Sequence, residues 1–385
     1  MRRVYLDHTA TTPLDPRVLE VMRPYFGGVF GNASSIHSFG RDAKQALEGA
    51  RASIASLLGA DPGEVFFTSG GTEANNLAIF GTTQAAAGHG RTKVVSSQTE
   101  HHAVLEPIEV LSGQGRDAVL LPVDSFGTVD LGRLQEEADG KTALVSIMHA
   151  NNEVGTIGLV REAAEIAHAA GALMHSDAVQ SAGKIPVDVR ELGVDLLTVS
   201  AHKMYGPKGI GALYVKRGTE ISPVLHGGGQ ERGRRPGTEN VPLVVGFAEA
   251  FRLAVLEREE EMRRVGALRD ALEARIRSAL PAAIVNGHPS RRLPTILSIS
   301  IDNTKLALEG EMLVIQMDLH GVAATSGSAC SSGSMQPSHV LLAMGRDVAT
   351  ARATLRFSFG RSNTEADIDY VAESLQEVIT AMQKH

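Results

Sequence analysis

Between residues 64 and 215 the chain switches repeatedly from short β-rich runs to helical stretches, and this alternation limits the fold more than any other feature. VFFT (65–68) leads through a glycine pair into the helical EANNLAIFGTTQAAA, and KVVSSQ (93–98) precedes another helical stretch. TALVSIMH (142–149) is followed by the amphipathic LVREAAEIAHAA, which stops at Gly171 as a helix C-cap does. ALMHSDAV, DLLTVSAH and GALYV are the next apolar runs. The pattern predicts βαβ units, hence an α/β fold whose large, mostly parallel sheet is flanked by helices. Ligands on such sheets bind beyond the carboxyl ends of the strands, and here each run ends in polar residues.

A chain of 385 residues is too long for one small core and suits a large domain with a smaller companion. The pattern changes after a long helical stretch around 243–280. LPTILSISI and ATLRFSFG then read as strands, while EGEMLVIQMDLHG and EADIDYVAESLQEVITAMQ have helical spacing. The expected division is a large domain over 14–258 and a smaller α+β domain over 259–385, joined by the N-terminal arm 1–13. Within the long helix, EREEEMRR reads as a solvated face.

Composition narrows the function classes. A formal net charge of -7 argues against a general affinity for nucleic acid or anionic membranes. Absence of Trp and an aromatic content of 4% argue against base-stacking platforms. No run of apolar residues is long enough to span a bilayer. The opening MRRVYLDHTATTPL lacks the apolar segment of a secretory signal, so the expected compartment is the cytosol. The one cysteine, Cys330, cannot close an intramolecular disulfide. It is either a small packing residue or a reactive thiol.

The densest cluster of chemistry is SAHKMYGPKGIGALYV (200–215), where Lys203 ends an apolar run. Alone it reads as a surface lysine. Upstream, HSDAVQSAGK sets Asp177 and Gln180 at the end of the preceding run. An acid and a lysine on neighbouring strand ends fit a pyridoxal-phosphate site. There the lysine forms the Schiff base and the acid keeps the pyridine nitrogen protonated. Gln180 would bond the ring's phenolic oxygen. TSGGTEANN (68–76), a strand followed by a glycine turn and a helix start, is a cradle for the phosphate. Ser200 and His202 add donors. TEHHAV (99–104) reads as a surface pair, a zinc site without regular ligand spacing, or a place for His101 to stack on the ring and move protons. No metal site is expected. Cys330 lies in TSGSACSSGSMQPSH, a small, polar sequence that suits an exposed loop better than a core. Arg356 reads equally as a surface group and as a bidentate clamp for a carboxylate. The glycine-rich GPKGIG and GGGQERG lack the strand-to-helix context of nucleotide loops.

SGGTEANN, TEHHAV, NNEVGT, DAVQSAGK, SAHKMYGPKGIGALY, GGGQERGRRPGTEN and SGSACSSGS together resemble the cysteine desulfurases (NifS/IscS type). These are fold-type I enzymes of aminotransferase class V, and the likeness runs nearly end to end. It implies pyridoxal 5'-phosphate as cofactor, with Lys203 the Schiff-base lysine and Asp177 the pyridine-nitrogen partner. Gln180 would meet the ring oxygen, and His101 would be the stacking acid–base residue. Gly71, Thr72, Ser200 and His202 would hold the phosphate, with Thr238 donated by the other subunit of a homodimer. Asn152 and Arg356 would hold the substrate carboxylate. Cys330 would carry sulfur from L-cysteine as a persulfide, in transient contact with an iron–sulfur cluster and in transit to an acceptor such as an iron–sulfur scaffold. The rival reactions on this fold are selenocysteine lysis and transamination of a small amino acid.

Overall fold

The computed structural model describes residues 2–327 and 336–383. Twelve strands organise it: β1 (Val4–Tyr5), β2 (Val65–Thr68), β3 (Lys93–Ser97), β4 (Ala118–Leu121), β5 (Thr142–Ser146), β6 (Leu173–Asp177), β7 (Leu196–Ser200), β8 (Gly211–Val215), β9 (Ala283–Asn286), β10 (Ile296–Ile301), β11 (Val322–Ala323) and β12 (Thr354–Ser358). Seven of them form one sheet in the order β2-β8-β7-β6-β5-β3-β4.

Adjacent residues on these strands face opposite sides and are buried on both. Phe66, Val94, Leu144, Leu196 and Leu213 pack under the helices Gly71–Ala87 and His102–Gly113. Phe67, Val95, Val145, Leu197 and Ala212 pack with the helices Ser38–Leu58 and Val160–Ala169 and the start of Val241–Ala279. Two covered faces explain why the runs are continuously apolar rather than alternating. The sheet is parallel except for β8, which runs antiparallel to both β7 and β2. The segment from 201 to 210 is too short for a crossover, so β8 must turn back beside β7. That return loop carries Lys203.

A second sheet, β12-β10-β9, is antiparallel. It packs with the helices Gly310–Leu319 and Glu365–Met382 and the far half of Val241–Ala279. The arm joins this unit, since β1 pairs in parallel with β11. The long helix belongs to both cores: Val244, Phe247 and Phe251 enter one, Val265, Leu268 and Leu272 the other. EREEEMRR lies between, and it is only partly the solvated face its charges suggest. Glu257 pairs with Arg17 and Arg361, and Glu261 with Arg361. The carboxylates that turn inward thus tie the long helix to the N-terminal region and to the loop after β12.

One loop is held in an unfavourable backbone conformation. Glu231 and Arg232 have φ of 44° and 56°, the left-handed region that favours glycine. Buried Glu231 accepts from both terminal nitrogens of Arg51, at 2.7 and 2.8 Å, and from the Phe67 amide at 3.0 Å. Glu231→Ala would leave the buried Arg51 guanidinium with only the exposed Glu48 carboxylate, 3.2 Å from its Nε, as counter-charge. It is expected to cost about 3–5 kcal/mol, read as a lower urea midpoint.

Candidate active site

The carboxyl ends of the parallel strands and the antiparallel sheet of the smaller unit enclose a cavity of about 500 Å3. Asp177 is the last residue of β6, Ser200 the last of β7, and His202 and Lys203 lie in the turn that follows. Gly71 and Thr72 open the helix after β2, His101 caps the helix after β3, and Asn152 follows β5. Arg356, on the central part of β12, reaches in from the second sheet. All ten of these, Gln180 included, line the cavity.

Lys203 points its Nζ at two carbonyls of the N-terminal arm, those of Thr9 and, at 2.7 Å, Ala10. Loss of water around the ammonium, together with the nearby Arg356, lowers its pKa to about 8, although Asp7 and Asp177 oppose the shift. A lysine so placed keeps a minor but appreciable neutral fraction near physiological pH, far more than an ordinary lysine, and that fraction can act as nucleophile or base. The rate at which apo protein captures pyridoxal phosphate, at concentrations well below saturation, is therefore expected to rise with pH and level off above about 8. Stopped-flow absorbance across pH 6–10, as an assay range of roughly that span, would measure it; a rate still climbing at the top of the range would contradict the assignment.

Asp177 is buried, and each carboxylate oxygen accepts one hydrogen bond. Asn75 Nδ2 donates to Oδ2 at 2.7 Å and the Val179 amide to Oδ1 at 2.9 Å. Both bonds hold the carboxylate while leaving lone pairs for a protonated ring nitrogen. His101 Nδ1 accepts from the Ala103 amide at 3.0 Å, as an N-cap does. A neutral imidazole bonded this way carries its proton on Nε2. Burial lowers the pKa of His101, with Asp177 acting in the opposite sense and Lys203 adding to the fall. His202 is driven to about 4, chiefly by burial and by Lys203, so it is a neutral donor or acceptor.

The phosphate end can be tested against an observation. Ser200 Oγ is buried and has no hydrogen-bond partner among the described residues, which is unusual for a native hydroxyl unless a ligand supplies the partner. It lies beside the start of the helix Gly71–Ala87, whose first amides and dipole favour an anion. The turn into that helix comes so near β8 that a Cβ on Gly211 would stand 2.8 Å from the Gly70 carbonyl carbon. A side chain there would displace the cradle. The residues present therefore fit pyridoxal phosphate: an anion site, a lysine of lowered pKa, a buried carboxylate and an imidazole surround one cavity.

At the opposite wall, Arg356 donates to the Asn152 carbonyl at 3.0 Å and to Asp7 at 2.9 Å, and its Nε is buried without a partner among the described residues. A carboxylate in the cavity would meet a fixed guanidinium. Two sequence candidates are not among these lining residues. Thr238 is exposed and is not part of the cavity lining. Cys330 lies outside the described residues, but Thr325 and Gly327 before it and His339 after it line the cavity. Ser338 Oγ bonds the carboxylate of Glu153, another lining residue.

Several participants were not evident as individual residues. Asn75 stood inside the quoted SGGTEANN, and its position four residues after Gly71 on the helix is the signal that it faces the same way. Glu100 stood inside TEHHAV. It is wholly buried, accepts from the Met148 amide at 2.8 Å, and burial pushes its carboxyl well above the usual range. It holds the chain entering the Asn152 segment. Asp7 and the Thr9 and Ala10 carbonyls carry no local signal at all. Among the described residues, no three His, Cys, Asp or Glu side chains gather as a metal site.

Comparison with known proteins adds to this geometry. A family model described as aminotransferase class-V matches residues 4–371. A cysteine desulfurase IscS of Dictyoglomus turgidum is 46% identical over 382 residues, covering 99% of this chain and 96% of the relative. A cysteine desulfurase IscS 1 of Archaeoglobus fulgidus is 43% identical over 379 residues, covering 98% and 97%. Among solved structures, a NifS-like protein superimposes with a TM-score of 0.91 at 38% identity, covering 99% of this chain and 100% of its own.

Proposed function

The chain belongs to the aminotransferase class-V family, and from that premise we infer that it is a pyridoxal-phosphate-dependent cysteine desulfurase. It takes L-cysteine to L-alanine, holds the sulfur as a persulfide on Cys330 and hands it to an acceptor protein such as an iron–sulfur scaffold. The observation that carries this reading is the convergence of Lys203, Asp177 and His101 on one cavity with an anion cradle at one end and Arg356 at the other.

The bound cofactor supplies an electron sink for the pair released when the substrate Cα–H bond breaks. Asp177, held by Asn75 and the Val179 amide, keeps that sink charged. Gly71, Thr72, Ser200 and His202 hold the phosphate, and Lys203 anchors the cofactor. Arg356 and Asn152 orient the substrate by its carboxylate, which sets Cα near Lys203. Lys203 Nζ, lowered to about 8, takes the Cα proton and returns one later. His101 Nε2 exchanges protons with the thiol and with the product. The Cys330 thiolate attacks the substrate sulfur: the S–S bond forms as the Cβ–S bond breaks, and the electron pair left on the three-carbon fragment is protonated to give alanine.

Pairing of two copies is supported by the segment from 26 to 39, where Phe26, Phe30, Ile36 and Phe39 are exposed together. Apolar side chains so clustered mark an interaction surface. The exposure of Thr238 fits a role toward the second copy's phosphate. A cytosolic location fits a lone cysteine held as a reactive thiol, and no helix among the described residues is long and apolar enough to cross a membrane.

The test is to incubate the holoprotein with L-cysteine and a thiol reductant and to measure alanine and sulfide. Equal amounts of both, without any added 2-oxo acid, are expected. Consumption of cysteine that depends on a 2-oxo acid and yields no sulfide would identify a transaminase. Turnover confined to L-selenocysteine would identify the lyase.

A further inference from the structure

A second lysine reaches the site from behind its wall. The turn after β6 places Gln180 and Lys184 four residues apart, with Lys184 and Ile185 amides both bonded to the Ser181 carbonyl. Gly183, at φ 77°, reverses the chain where a Cβ would stand 2.8 Å from that of Ala254. The ammonium of Lys184 is thereby returned to Gln180, and its Nζ donates to Oε1 at 3.2 Å. On the other side of the same amide, Gln180 Nε2 donates to the Thr9 carbonyl at 3.0 Å, the carbonyl that also accepts from Lys203. Gln180 lines the cavity; Lys184 does not.

The two neighbours assign the amide independently. A lysine has only donors and a carbonyl only accepts, so Oε1 must face Lys184 and Nε2 must face the arm and the cavity. With Lys184 gone, only the Thr9 carbonyl, which Lys203 also engages, opposes the flipped amide. We propose that Lys184 is a positioning residue for the bound cofactor, holding Gln180 so that its N–H group, and not its carbonyl, is presented to the ring's phenolic oxygen. This rests on the pyridoxal-phosphate reading of the cavity. A donor at that oxygen favours its anionic form and weakens the hold of the nitrogen linking Lys203 to the cofactor on its proton. The groups facing Lys184 are Lys203, His8, His202 and Glu261, the last already engaged with Arg361. Burial and Lys203 lower the Lys184 pKa to about 7; the ammonium can only donate, whereas the neutral amine still donates but also carries a lone pair, so Lys184 orients the amide most strictly when protonated.

The measurement is the pH midpoint of the bound cofactor's visible absorbance. In Lys184→Met it is expected to rise by about one pH unit, the lower end for a hydrogen bond to a charged group. Lys184→Arg, which keeps the donors, should stay at the wild-type midpoint. Removal of a positive charge would by itself raise the midpoint, so the same substitution is made in a Gln180→Leu background. No further shift there supports action through Gln180. An equal shift in both backgrounds, or none in either, overturns the proposal. Should Lys184→Met fail to fold, Lys184→Ala gives the same comparison. A wild-type protein without cofactor absorbance would instead sink the reading of the site itself.

Discussion

Lys203→Ala is expected to lower turnover of L-cysteine by more than about 10⁴-fold, beyond the range for losing a single acid–base group, and to leave the purified protein without cofactor absorbance. One side chain is asked to do two things here. On the proposed reading it anchors the cofactor and moves the Cα proton. Its place in the turn after β7 aims the Nζ into the cavity, and the carbonyls of Thr9 and Ala10 hold it there. Lys184, the other desolvated lysine, cannot substitute, because it stands behind Gln180 and outside the lining. The fold should survive. The ammonium of Lys203 is disfavoured in the native protein by lost water, so its removal relieves an unfavourable group. The variant's apo form is expected to melt no lower than wild-type apo protein. Retained turnover with retained absorbance would mean that another amine serves, and the assignment would fall.

Cys330→Ser is expected to abolish sulfide and persulfide formation, by at least about 10³-fold, the scale on which removal of an enzyme nucleophile acts. Unlike the lysine variant, it should keep the cofactor absorbance and the spectral change on adding L-cysteine. The reason is a division of labour in space. The proposed cofactor and substrate contacts come from the strand ends and β12, all among the described residues. Cys330 stands three residues after Gly327, which lines the cavity, and three residues of chain reach at most about 11 Å. A serine hydroxyl is a far weaker nucleophile toward sulfur than a thiolate. The two variants thus fail differently, one without cofactor and one with cofactor and bound substrate. Equal sulfide from Cys330→Ser and wild type would make the cysteine incidental to the reaction.

Much of the site was legible because its signals are local. Asp177, Ser200, Lys203 and His101 each stand at or just beyond the end of an apolar run, where a strand of this sheet type delivers its ligand groups. The run itself shows in the sequence because both faces of the sheet are covered. Glycine at 70 and 71 before a helix is likewise a short-range pattern. The antiparallel return of β8 was not read, although the brevity of 201–210 contains its reason. The charged EREEEMRR was read by its composition. Composition does not say which carboxylates turn inward, and Glu261 and Glu257 do so because Arg361 and Arg17 are brought to them.

The sequence by itself determined which stretches become strands and helices, that they stack as a doubly covered sheet, and which ends carry chemistry. Hydrophobic period and turn residues act over a few positions, and so are written in consecutive letters. The tertiary structure alone decided how those ends are tuned. Asp7 meets Arg356 across 349 positions, the Thr9 carbonyl receives Lys203 across 194 positions, and Arg51 finds Glu231 across 180. The lowered pKa of Lys203 comes from burial and from charges on other elements. Desolvation and Coulomb interaction depend on distance in space, and chain closure over such separations leaves no periodic trace in the sequence.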